Sequence, residues 1–167
     1  MKIHIIGCSG SGKTYLAKKL EQQYQIPHYD LDDIQWDQRA KGYGVKMPMK
    51  ERTVLFEKIL SNEDWIIEGV YYQWVQSGFE KSDVIYVLDM PGYLCKYRIV
   101  RRFIKRKIGL EKGKQETVKS LFALLKWTDV FLNRNLPEIR EILKQYHDKV
   151  IWITRQKELK KMMDSVK

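Results

Sequence analysis

The segment that most constrains this chain is Gly7-Cys8-Ser9-Gly10-Ser11-Gly12-Lys13-Thr14, which fits G-x-x-x-x-G-K-[ST] and follows a short apolar run, Ile3 to Ile6. A buried strand that turns through glycines into a helix is the context in which this pattern wraps a polyphosphate. The glycines let successive backbone N–H groups point inward, Lys13 reaches the terminal phosphates, and the Thr14 hydroxyl is placed to ligand Mg²⁺. Leu16, Ala17, Leu20 and Tyr24 continue the helical pattern, so the helix starts at the anion, where its dipole favours negative charge. A Gly/Ser-rich turn can match such a pattern by chance, but the strand before it and the helix after it favour the phosphate-binding loop. Gly7, Ser9, Gly10, Ser11, Gly12, Lys13 and Thr14, with Tyr15 in the first turn, are therefore the candidate nucleotide-binding residues.

At 167 residues, one domain with a sizeable core is expected. No apolar run approaches the roughly twenty residues of a membrane span, and the N-terminus enters the first strand at once, so a cytoplasmic protein is expected. The formal charge of +10 is uneven, because residues 1 to 90 hold 11 Lys+Arg against 13 Asp+Glu and the remainder holds 20 against 8. A polyanionic partner follows, but nucleotide phosphates, nucleic acid and an acidic protein all satisfy so crude a signal. The two cysteines, Cys8 and Cys95, show no metal-ligand spacing and no basis for a disulfide. A helix N-terminus can lower the pKa of a thiol such as Cys8, although a small loop residue is the plainer explanation.

Along the chain, Pro27 to Asp32 reads as a second strand running into an acidic loop, and Gln35 to Lys46, with Gly42 and Gly44, as a mobile loop. Pro48 opens a helix to about residue 60 with Val54, Leu55, Ile59 and Leu60 on its apolar face. Trp65-Ile66-Ile67, Asp83 to Leu88 and Val150 to Ile153 complete five near-continuous apolar strands, and a Lys-rich helix closes the chain. Strands of this kind alternating with helices indicate an α/β fold, a parallel sheet covered on both faces. Between the last two strands lies a helical region, roughly 93 to 146, with breaks expected at 109 to 114 and near Asn135-Leu136-Pro137.

Its first segment places Arg98, Arg101, Arg102, Lys105 and Arg106 on one side of a helix and Ile99, Val100, Phe103 and Ile104 on the other. A solvated basic face is the ordinary explanation of such a run. Four of the five cations are arginine, however, and arginine suits bidentate phosphate contacts.

Phosphoryl transfer asks for in-line positioning, a metal, and positive charge around the transferring group. Lys13, Arg102 and Arg106 are the candidate catalytic cations, and Arg98 a further phosphate contact. Asp32 is the candidate acid, because parallel strands present their C-terminal ends to one crevice. It could accept a proton from an attacking hydroxyl or, with Thr14, hold the metal. Asp30, two residues earlier, is a helper; helix capping or turn formation is the bland alternative for Asp30, Asp32, Asp33 and Glu68. Trp36, Tyr43, Trp65, Tyr71, Tyr72 and Trp74 could wall a planar acceptor, although core packing explains most of them equally well. Asp89-x-x-Gly92 mimics a GTPase motif, but no N-K-x-D follows, and Asp89 reads as a turn residue.

The succession GCSGSGKT, PHYDLDDIQW, WIIEGVY and VLDMP before an Arg-rich helix resembles the adenylate-kinase-related P-loop proteins labelled DNA topology modulation or FlaR-like proteins. The resemblance runs over nearly the whole chain. It implies a three-layer P-loop fold of the nucleoside monophosphate kinase type, with five parallel strands in the order 2-3-1-4-5, a short helical lid at about 93 to 116, and ATP and Mg²⁺ at the P-loop. By the same resemblance Asp32 and Trp36 match acceptor-site residues, Arg98, Arg102 and Arg106 match lid arginines, and Arg134 is a further phosphate contact. Glu68 stands where the family usually has aspartate and Val70 where asparagine is frequent, which leaves a metal or acceptor role for Glu68 in doubt. The short lid lacks zinc-binding cysteines, so AMP is not carried over as acceptor. Thr154-Arg155 could line the donor base but carries no base code. The expected activity is transfer of the γ-phosphoryl of ATP-Mg to a nucleotide or other small acceptor. The alternative is an ATP-dependent regulator that holds DNA, which the family label suggests and no nucleic-acid-binding motif supports.

Overall fold

The computed structural model describes residues 1–37, 39, 44–111 and 117–165. Gly42, Tyr43 and the expected lid residues 112–116 lie outside them. Five strands, β1 (Lys2–Gly7), β2 (His28–Asp30), β3 (Trp65–Gly69), β4 (Val84–Leu88) and β5 (Val150–Ile153), form one parallel sheet in the order β2-β3-β1-β4-β5. The central strands are the most apolar and the most buried, while β2 is half-exposed along its length and β5 exposes Ile151 at the sheet edge. This gradient is what a sheet with helices on both faces requires.

The helices are α1 (Lys13–Tyr24), α2 (Asp32–Gln35), α3 (Met49–Leu60), α4 (Gln76–Lys81), α5 (Gly92–Lys107), α6 (Val118–Val130), α7 (Leu136–Leu143) and α8 (Gln156–Ser165). Helix α1 buries Leu16, Ala17 and Leu20 against the sheet, as its spacing predicts. Helix α3 starts after Pro48 as expected, but its buried face is Phe56, Ile59 and Leu60; Val54 and Leu55 are exposed. Asp32 is not in a loop but opens α2 immediately after β2.

The break expected near Pro137 does not occur. One π-helical turn, Phe131–Asn135, joins α6 to α7, with the Leu136 N–H bonded to the Phe131 carbonyl. Pro137 falls in the first turn of α7, where a missing N–H costs little. The wider turn keeps Phe131, Leu136, Ile139 and Leu143 on the buried side.

Candidate active site

The site is built where β1 runs into α1. Gly10 and Gly12 take left-handed backbone conformations (φ 77° and 109°), and an added side-chain carbon on Gly10 would lie 2.4 Å from the Cys95 carbonyl oxygen. Glycine is required there on both counts. No side chain caps α1, so its first N–H groups face the loop. Lys13 is buried and its Nζ donates to the Cys8 carbonyl at 3.1 Å. Ser11 is fully buried, Ser9 is half-exposed, and Tyr15 points outward, 56% exposed.

Glu68, at the end of β3, is the hub. Its Oε1 accepts from the Thr14 hydroxyl at 2.5 Å, and its Oε2 lies 3.9 Å from Lys13 Nζ. It is 2% exposed, so these partners compensate a charge that burial alone would penalise. Register pairs Glu68 with Asp30 on β2 and sets it beside Ile5 of β1. The usable signal was a strand-end acid one strand away from a P-loop.

The β2 end completes the acidic cluster. The Asp32 N–H donates to Asp30 Oδ1 at 2.9 Å, the Leu31 N–H donates to the Glu68 carbonyl at 2.9 Å, and Tyr71 donates its hydroxyl to Asp32 Oδ1 at 2.6 Å. Burial, and then the Glu68 charge, push the Asp30 carboxyl up to about 7. Burial and the neighbouring Asp32 carboxylate raise the Tyr71 phenol, which keeps it a hydrogen-bond donor. His28 Nε2 lies 3.9 Å from Glu68 Oε1, but burial lowers its pKa and favours the neutral ring.

The arginine helix is arranged differently from its sequence pattern. Arg98, Arg102, Lys105 and Arg106 are half-buried, Arg101 is exposed, and Ile104 on the supposed core face is 51% exposed. Arg98 Nη1 donates to the carbonyls of Gly10 (3.1 Å) and Ser11 (2.9 Å), so it braces the P-loop from outside. Arg106 Nε lies 3.6 Å from a Glu111 carboxylate oxygen. Arg134 is exposed, 4.0 Å from Glu138. Thr154 and Arg155 give their N–H groups to Glu158 Oε2, which makes them the entry to α8. Asp89 ends β4 and accepts from Arg140 at 3.2 Å.

Of the aromatic residues, Trp65 is core and Tyr72 is buried with its hydroxyl on Glu138. Tyr71 and Trp74 pack at 5.5 Å beside Asp32, and the Arg52 guanidinium lies 4.6 Å from the Trp74 ring centroid. An apolar cleft of about 520 Å³ opens between α3 and the segment around Asp37 and Met47. It contains no P-loop residue.

The donors suit magnesium. It prefers hard oxygens and normally takes one or two carboxylates, with phosphates and water supplying the rest. The Thr14 hydroxyl and the Glu68 carboxylate provide such oxygens side by side at the P-loop.

Sheet order and glycine loop together define the P-loop kinase fold. No family model matches the chain. Uncharacterized protein YqaC of Bacillus subtilis (strain 168) is 28% identical over 142 residues, which cover 83% of this chain and 76% of that protein. A gluconokinase from Sinorhizobium meliloti 1021 superposes with a TM-score of 0.57 at 13% identity, over 99% of this chain and 88% of that one. Shikimate kinase from Acinetobacter baumannii, in complex with shikimate, gives 0.59 at 14%, over 99% and 89%. Shikimate kinase from Bacteroides thetaiotaomicron gives 0.59 at 12%, over 99% and 96%. At these identities what is shared is the fold. Among the described residues no helix is long and apolar enough to cross a membrane.

Proposed function

We propose that the chain is a small-molecule kinase that transfers the γ-phosphoryl of ATP-Mg to a nucleotide or another small hydroxyl or phosphate acceptor held near Asp32. The observation that carries this reading is Glu68, which joins Thr14 of the P-loop to the end of β2, where Asp30 and Asp32 stand. This brings the P-loop and the end of β2 together, which supports the positioning that phosphoryl transfer chiefly needs. Neighbours of the same fold named gluconokinase and shikimate kinase favour a small-molecule acceptor. The resemblance of the segment order to the FlaR-like proteins supports the same reading.

In this reading the loop N–H groups and Lys13 hold the triphosphate. Thr14, with Glu68 or Asp32, would hold magnesium, which would supply positive charge at the phosphates. Asp32, oriented by Tyr71, takes the proton of the attacking hydroxyl. Arg98 keeps the loop in shape, while Arg102 and Arg106 bring positive charge to the transferring group. The chain is read as one cytoplasmic domain in which α5, bonded to the P-loop through Arg98, belongs to the lid.

The test is ADP formation from ATP-Mg across nucleoside monophosphates, nucleosides and small hydroxyl metabolites, with Lys13→Ala run alongside. One acceptor class should stimulate turnover, and the variant should abolish it. Equal activity in Lys13→Ala would sink the assignment.

A further inference from the structure

Cys8 and Cys95 are the two cysteines of the chain, 87 positions apart, and the fold buries both completely with their Sγ atoms 3.2 Å apart. Sequence spacing gave no basis for pairing them; the packing of the P-loop on the first turns of α5 does. The Gly10 backbone abuts the Cys95 carbonyl, and Arg98, one turn further along α5, clamps the Gly10 and Ser11 carbonyls. Cys8 in turn shapes the loop, because its carbonyl receives both the Ser11 N–H at 3.2 Å and Lys13 Nζ at 3.1 Å.

We propose that Cys8 and Cys95 are a reversible oxidation site, at which a peroxide joins the two sulfurs, ties the P-loop to α5 and weakens nucleotide binding. Closing the remaining gap to a bonding distance needs an approach of about 1 Å. Cys95 is the attacking sulfur. The Cys8 S–H donates to it, which lowers the Cys95 pKa against the burial that raises it, with the Arg98 and Lys13 charges assisting, while that of Cys8 is raised. The Cys95 thiolate attacks one peroxide oxygen, giving a sulfenic acid and releasing the other oxygen as water. Cys8 sulfur then attacks the sulfenic sulfur, and a second water leaves. Two thiols and one peroxide become one disulfide and two waters, with two electrons passing from sulfur to oxygen. A thiol reductant reverses the bridge by exchange.

The consequence lies in the loop. Drawing Cys8 towards α5 displaces the carbonyl that receives Lys13 and Ser11, and a loop held covalently to α5 can no longer adjust its N–H groups to incoming phosphates.

The experiment uses the full chain, reduced and then exposed to hydrogen peroxide under native conditions, with free thiols alkylated before mass analysis. Expected are a linked Cys8–Cys95 peptide that dithiothreitol removes, and a roughly ten-fold weaker affinity for a fluorescent ATP analogue in the oxidised form. Cys95→Ser, or Cys95→Ala should the serine variant fail to fold, should lose the response to peroxide. Two separately modified thiols without a link, or equal affinity before and after bridging, would overturn the proposal. The link is read by mass without any nucleotide, so its failure is distinct from failure of the kinase reading.

Discussion

Thr14 and Glu68, 54 positions apart, share a 2.5 Å hydrogen bond that fastens the first turn of α1 to the end of β3. The same carboxylate lies 3.9 Å from Lys13, so one buried acid contacts both P-loop side chains to which the proposed phosphate and metal chemistry is assigned. Glu68→Gln preserves an acceptor for Thr14 but removes the charge. Turnover should fall about 10- to 100-fold, with a higher magnesium requirement. A magnesium titration superimposable on that of the parent would make Glu68 a structural residue only.

Arg98 and Arg101 lie on one cationic stripe in sequence but do different things in the fold. Arg98 makes two charge-assisted bonds to the P-loop, whereas Arg101 is exposed. Arg98→Ala should weaken ATP binding roughly ten-fold, the cost of about one such bond, while Arg101→Ala leaves it unchanged. Calorimetric titration with ATP-Mg decides between them; equal losses in both variants would point to general electrostatic attraction.

His4 is fully buried in β1 with its ring 4.5 Å from that of Phe79, and burial lowers its pKa from 6.5 to about 3. A depressed folded value means that the ring must be neutral to stay folded. Its contribution is complete above pH 6.5 and is lost as pH falls from there towards 3, with a limiting slope of about 1.4 kcal/mol per unit. Urea unfolding of His4→Leu between pH 4.5 and 7.5 should show a shallower acid loss than the parent. Parallel curves would contradict the assignment.

Asp30 has the opposite sign. Its folded value, about 7, lies above its ordinary 3.8, so the protonated form is favoured and stability falls as pH rises from about 3.8 through 7. Asp30→Asn keeps the acceptor for the Asp32 N–H and removes the charge facing Glu68. The variant should match the parent near pH 3.8 and melt at a higher temperature above pH 7. A melting difference that does not grow over that interval would show that Asp30 is not strained by its charge.

What sequence revealed and what it hid divide along the range of the interactions. The P-loop, α1 and the five strands are written in local patterns, and the apolar runs Ile3 to Ile6 and Trp65-Ile66-Ile67 pair in the sheet as their composition implies. The contacts of Glu68 with Thr14 and Lys13 and the meeting of Cys8 with Cys95 come from register and packing between distant segments, which no local period encodes. Helix α4 was missed because Gln76–Lys81 is too short to show a period. The apolar side of α5 is only partly covered: Ile99 is buried and Val100 and Phe103 are half-buried, but Ile104 is exposed. At Pro137 the breaker signal misleads, because the residue falls in the first turn of α7, where its missing N–H costs little.

The most direct test of the central claim is phosphorus NMR of ATP-Mg with the acceptor that most stimulates ADP formation. Expected is a new phosphorylated acceptor in an amount equal to the ADP, absent in Lys13→Ala and strongly reduced in Asp32→Asn. Release of the γ-phosphate solely as inorganic phosphate, at a rate indifferent to the acceptor, would contradict it.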